Sequence, residues 1–194
     1  MLLILTFTIL YTFIFGYHYL IAGNFEFMWY VGILVLLVLG VILVHKKYNY
    51  PSLVLFGASL WGFLHLLAGW YKIGESVLYG YVFWPVLVTD NPELVLFKFD
   101  QFMHLYTYFV MIFLIYYVIK NYFVENHSRT MISVFLIISA MGIGAINEIA
   151  EYIPVLIADN TGVGGYHNTL LDLIFNAVGA IFGVIVLRLK GAFK

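Results

Sequence analysis

Apolar runs of helical length dominate the chain, separated by short polar breaks. A hydrocarbon core of ~30 Å takes about 20 apolar residues to cross as a helix. Six stretches qualify, at roughly 2–22, 29–45, 51–71, 99–119, 130–152 and 168–189. Breaks fall at Asn49-Tyr50-Pro51, from Asn121 to Ser128, and from Asp159 to Gly165. Pro51 opens the third span, where its missing N–H costs nothing. Pro154 is expected to end or kink the fifth. The pattern predicts an all-α membrane protein: residues 1–194 form a single integral membrane domain, a bundle of six transmembrane helices with an outer interfacial loop between helices 3 and 4.

Composition agrees with this and excludes a soluble domain. The chain is 64% hydrophobic and 10% charged, with mean hydropathy +1.01, whereas soluble domains carry about 25% charged residues. Membrane lipid is the expected surrounding, no nucleic-acid partner is expected, and oligomeric state is not legible. There is no Cys, which removes disulfides and thiolate ligands from consideration. The start, Met1-Leu2-Leu3-Ile4, lacks the basic region of a cleavable signal and reads as a retained first helix. No internal repeat is evident, which counts against an inverted-repeat transporter.

Charge in the short connections orients the bundle. Lys46 and Lys47, Lys120 and Arg129, then Arg188, Lys190 and Lys194 all fall on one side, leaving Lys72 and Lys98 on the other. A cell membrane location with both termini cytoplasmic is the expectation. The long connection 72–98 then lies outside. Its run Val77 to Pro85 is too short to span and too apolar to float in water, and Asp90-Asn91-Pro92 is a turn signal. It is expected to lie on or dip into the outer interface, either as a lid over the bundle or as an aromatic anchor.

Polar residues within spans are costly and therefore point to function. His18, His65, Asp100, His104, Glu148, Glu151 and Asp172 all fall in the outer halves of their spans, with Asn147, Asn168 and Asn176 beside them. Asp100 and His104 share a face, continued by Thr107, Tyr108 and Met111. Asn168, Asp172 and Asn176 repeat every four residues, with Gly179 and Gly183 on the same side. Gly144 and Ala145 lie one turn before Glu148, and Ala58, Gly62 and Gly69 share the face of His65. Small residues beside polar ones mark helix-packing surfaces, so the polar groups face inward. His18 reads as locally hydrogen-bonded rather than ligating, and His45 and His127 belong to the cytoplasmic interface. His167 is placed to cap the sixth span or approach the site, Asn168 is placed to cap that span, and Glu151 is near enough to a helix end to snorkel.

No Lys or Arg lies inside a span to pair with Asp100, Glu148, Glu151 and Asp172. Four unpaired carboxylates would cost more than folding could offset, so either they share protons or a cation sits among them. Metal ligation is the preferred reading, with His65, Asp100, His104, Glu148 and Asp172 as ligands and Tyr108, Asn168 and Asn176 in support. The mixed O/N set suits a divalent ion, Zn first, with Mn, Fe or Mg as the other candidates.

His65-Leu-Leu-Ala-Gly69, Val77-Leu-Tyr79, Phe99-Asp100-Gln-Phe-Met-His104, Glu148-Ile-Ala-Glu151-Tyr152, Asn168-Thr169-Leu-Leu-Asp172 and Gly179-Ala180 together resemble the YjdF-like family of uncharacterised inner-membrane proteins. Asn168 stands where that family's motif has Asp. The second half also resembles the VanZ-like membrane proteins, associated with glycopeptide-antibiotic resistance, through Asp100, His104, Tyr108, Glu148, Asp172, Asn176, Gly179 and Gly183. Glu151 stands where those chains usually carry Gln. Both resemblances imply a membrane protein with its polar site at these positions.

The resulting expectation is a metal-dependent hydrolase or transferase acting on a lipid or lipid-linked envelope substrate that enters beneath the 72–98 loop. Glu148 or Glu151 serves as general base. The alternatives are a proton- or cation-coupled transporter, for which the inner halves offer only Thr6, Thr8, Ser59 and Ser133, and a non-catalytic binding protein.

Overall fold

The computed structural model describes residues 1–87, 95–123, 128–157 and 164–193. The Asp90-Asn91-Pro92 signal, His127, Lys194 and parts of two polar breaks lie outside the described residues.

Six helices are long and apolar enough to cross a membrane, and the protein is a multi-pass membrane bundle. The first, α1 (Leu2–Ala22), stops at Gly23, whose φ of 63° suits a residue without Cβ. Asn24 then accepts the Phe27 N–H at 3.1 Å and starts α2 (Phe25–Tyr48), which ends at a left-handed Asn49. Pro51 precedes α3 (Ser52–Trp70) as its N-cap. After the long connection come α4 (Phe99–Ile119), α5 (Arg129–Ile157) and α6 (Tyr166–Leu189).

The two largest boundary differences from the sequence expectation lie at the start of α2 and the end of α5. The second helix starts at Phe25 rather than 29, because the Asn24 cap precedes the apolar run by a full turn. The fifth continues past Pro154 to Ile157. Pro154 removes one backbone donor, yet flanking apolar residues keep the helix going, since unpaired backbone is costlier in lipid than one missing bond.

The described parts of the connection 72–98 form two small antiparallel ladders, an outcome its broken alternation did not announce. Strands β1 (Lys72–Ile73) and β2 (Ser76–Val77) flank a turn with Gly74 at φ 64°. A 3-10 turn over Leu78–Gly80 follows. Then β3 (Val82–Leu87) pairs with β4 (Val95–Lys98), matching Val82 to Lys98 and Val86 to Leu96. Pro85 falls within the register irregularity between Val82 and Val86, where a strand tolerates a missing donor.

The helices form two groups of three. In the first, α1 and α3 pack around Tyr11, Phe15, Tyr19, Phe27, Leu34 and Leu66. In the second, α4, α5 and α6 enclose Tyr108, Ile112, Leu136, Ala140, Ala180 and Val184. Contacts of α3 with α4 join the groups, helped by Ala68, Phe99 and Met103. The share of each span that is buried is largest in α6 (44%) and smallest in α2 (11%), so α6 is central and α2 peripheral.

Close approach of α4 and α6 depends on glycine. A Cβ at Gly179 would run into the carbonyl of Leu105, and one at Gly183 would meet Ile112 Cβ at 2.8 Å and the Phe109 carbonyl at 3.0 Å. Gly142, by contrast, has nothing within 4 Å of where a Cβ would stand. Gly179→Ala should therefore lower stability by roughly 1–3 kcal/mol through overpacking, while Gly142→Ala should be near neutral. Thermal unfolding of both variants in the same detergent checks this. Equal midpoints for Gly179→Ala and the wild type would count against the close α4–α6 packing.

Candidate metal centre

The site is built where α4 begins. Gln101 is fully buried, and its Oε1 accepts the N–H groups of Phe97 at 2.6 Å and Lys98 at 3.1 Å. This inward cap holds the β4–α4 junction, where Phe97 has a φ of 68°, unusual for a residue with a Cβ. It also fixes Asp100 in the first turn and His104 one turn on, pointing the same way.

Opposite them, the glycine contacts bring α6 close enough for Asn168, Asp172 and Asn176 to reach across. Asn168 Nδ2 donates to Asp172 Oδ2 at 2.6 Å and to Asp100 Oδ2 at 3.3 Å. Asn168 is thus not the cap expected for this span. Gly165 precedes the helix, and Asn168 sits three residues in, tying two carboxylates together. Asn176, fully buried, places its Oδ1 2.9 Å from His104 Nδ1. With the amide oxygen turned to the ring, Nδ1 carries the hydrogen, and Nε2 presents its lone pair.

That lone pair faces two carboxylates. His104 Nε2 lies 3.6 Å from Asp100 Oδ1 and 3.9 Å from Asp172 Oδ1. Both gaps are too long for hydrogen bonds. They are close to the ~3.4 Å that separates two ligands ~2.1 Å from a tetrahedral metal. Asp172 is 2% exposed, and its Oδ1 has no hydrogen-bond partner. Carboxylate oxygens so placed need either a proton or a cation. The donor set therefore fits a divalent ion, with Asn176 orienting the imidazole from behind.

From α5, Glu148 Oε1 comes within 3.8 Å of His104 Nδ1 and is likewise buried without a partner. Glu151 is held by Asn147, whose Nδ2 donates to Oε1 at 2.7 Å. His104, Glu148 and Glu151 make a second convergent group beside Asp100, His104 and Asp172, and His104 is common to both. Tyr108, 1% exposed, lies a turn beyond His104, with its ring and the Asn176 amide both against Gly144.

His65 lies apart from these two groups, on another wall of the same cavity. It is surrounded by Tyr30, Trp61 and Tyr79, and its Nδ1 pairs with the Tyr79 hydroxyl. Burial, reinforced by the Asp100 and Glu151 carboxylates, pushes the Tyr79 phenol well above its ordinary pKa. The hydroxyl keeps its proton and donates it, so a neutral His65 ring carries its hydrogen on Nε2. His18 faces outward, edge-on to Trp70, and His45 stacks on Tyr50 far from the site.

The cavity has a volume near 520 Å³ and lies between the two helical groups, with β2 and the 3-10 turn along one side. Its wall includes residues that the sequence pattern did not single out: Glu26, Tyr30, Trp61, Glu75 and Lys98. Glu26 was hidden because it precedes the apolar run of α2, and Lys98 because it reads as a loop charge. A second hollow of about 440 Å³, between the end of α5 and the start of α6, shares Glu151 and Gly164 with the first.

Tyr79→Phe would leave the buried Nδ1 of His65 without its donor. An unsatisfied buried acceptor costs about 1–3 kcal/mol. The variant should unfold at lower temperature or denaturant than the wild type, and an unchanged midpoint would mean the contact contributes nothing.

A family model described as "Predicted membrane protein (DUF2238)" matches residues 1–191. No curated protein and no solved structure matches the chain.

Proposed function

The chain belongs to the DUF2238 family of predicted membrane proteins, and we propose that it is a metal-dependent hydrolase or transferase acting on a lipid or lipid-linked envelope substrate at the outer membrane face. One observation carries the reading. The lone pair of His104 Nε2 and an orphaned, buried Asp172 oxygen converge with Asp100 on one point, while Asn176 fixes the imidazole from behind. Asp100, His104 and Asp172 would hold the ion, with Glu148 as a further ligand or as the base. A divalent cation there supplies Lewis-acid activation of water, Zn being the first candidate and Mn, Fe or Mg the others.

The protein's own groups do the rest. Glu148 or Glu151 takes the proton from the attacking water as its oxygen bonds to the substrate's electrophilic centre. The same carboxylic acid then returns the proton to the leaving group as the old bond breaks. Asn147 keeps Glu151 turned toward this work, and Asn168 keeps Asp100 and Asp172 together. His65, across the cavity, offers its Nε2–H to a substrate oxygen rather than joining the Asp100–His104–Asp172 set.

Orientation supports the choice of face. The basic residues at Lys46, Lys47, Lys120, Arg129, Arg188, Lys190 and Lys194 support an orientation with both termini in the cytoplasm. The cavity end then faces outward. The YjdF-like and VanZ-like resemblances rest on residues of this same site.

Elemental mass spectrometry of the purified protein is the test. Near-stoichiometric metal is expected in the wild type and should be lost in Asp100→Ala and His104→Ala. Asn176→Leu should retain the fold but bind metal about 10–100-fold more weakly, as loss of a partner behind a ligand does. A folded wild type without metal would overturn this reading in favour of carboxylates that share protons, and hence of proton-coupled transport. Activity that survives both Glu148→Gln and Asp100→Asn would also sink it.

A further inference from the structure

The cavity has a wall that metal binding does not use. Tyr30, Trp61 and Tyr79 line it, with ring centroids 5.3, 5.5 and 5.6 Å from that of His65. Glu26, in the first turn of α2, and Glu75, in the β1–β2 turn, line the same space, and Asp100 and Glu151 close its other side. Lys98 is the one Lys or Arg among the described lining residues.

Charge and ring chemistry point the same way. With Glu148 and Asp172 behind, six carboxylates gather around the cavity. Carboxylates outnumber basic groups among the described lining residues, and an ammonium group would reduce that negative surplus. Aromatic faces add attraction for a cation through their quadrupoles, most of all for alkylammonium groups, which shed water easily. An anion bound without a metal would meet repulsion from the same wall. The volume, near 520 Å³, falls in the ~300–1,000 Å³ range of small-molecule sites.

We infer that this wall binds an organic ammonium group, of the kind carried by an ethanolamine or choline headgroup or by a free amine. In a phospholipid headgroup the phosphate would then lie toward Asp100, His104 and Asp172; that orientation, and nothing else here, rests on the metal reading. The site deepens the proposed function by naming the polar end of its substrate.

The test compares choline with 3,3-dimethylbutanol, its uncharged isostere, by saturation-transfer NMR on the full chain in phosphatidylglycerol nanodiscs. Choline should bind saturably and the isostere about tenfold or more weakly, the scale of a desolvated cation–π and charge contribution. Equal binding, or none by either, would overturn the inference. Glu26→Gln, which keeps side-chain volume, and Trp61→Leu should each weaken choline roughly 3- to 30-fold. Should Trp61→Leu fail to fold, Glu26→Gln decides alone, and unchanged choline affinity in it would count against the site.

Repeating the titration on chelated wild type separates the two readings. Choline binding that persists without metal supports the ammonium site even if no metal is ever found. A stoichiometric metal with no discrimination between choline and its isostere would sink the ammonium site and leave the metal centre standing. Phosphatidylcholine added to the discs should displace choline if the ammonium belongs to a lipid headgroup. Undisplaced choline assigns the site to a soluble amine, and both outcomes sustain ammonium recognition.

Discussion

Desolvated carboxylate is the constraint on which this molecule turns. Asp100, Glu148, Glu151 and Asp172 sit in membrane-spanning helices; among the described residues, His104 is the ion-pair partner within 4.0 Å of Asp100, Glu148 and Asp172, and Glu151 is held by the Asn147 amide. A bilayer cannot solvate such groups, so they must be gathered, hydrogen-bonded and neutralised within the protein. The gathering explains much else. Asn147, Asn168 and Asn176 each spend an amide on the cluster, and glycines thin the α4–α6 contact until the side chains meet.

Hydrogen-bond direction gives the cluster a polarity of its own. Asn176 occupies one nitrogen of His104, and the other is left facing Asp100 and an Asp172 oxygen that has no donor. Tyr79 similarly engages one nitrogen of His65. The two imidazoles of the cavity are therefore each committed on one edge only, by neutral partners from different elements. A rigid ring with one free nitrogen is how proteins present a ligand or a donor at a defined point.

Much of this was legible in the sequence, for identifiable reasons. Hydropathy marks the spans because apolar runs of twenty residues have no other use in a chain of this length. Asp100 with His104, and Asn168 with Asp172 and Asn176, declare their shared faces because helical spacing alone fixes them. What spacing does not encode is the packing of residues 76–80 against α3 and α4. Two-residue and irregular ladders leave no periodic signature, so the pairing of Tyr79 with His65 and the cavity-lining position of Glu75 were hidden. Glu26 and the inward cap by Gln101 were missed for a related reason. Helix starts are set by local hydrogen bonds, which hydrophobicity does not report.

The chain separation of the partners has a consequence for biosynthesis. Asn176 lies 72 residues beyond His104, and Asn168 lies 68 beyond Asp100. Helices emerge and insert in order, and α1 to α3 can pack as a trio from neighbours already made. The fourth and fifth carry their acids into the membrane before the sixth has left the ribosome. Until it arrives, those side chains lack the amides of Asn168 and Asn176. The C-terminal helix thus acts as a keystone, and a nascent chain waiting for it is the form most exposed to quality control.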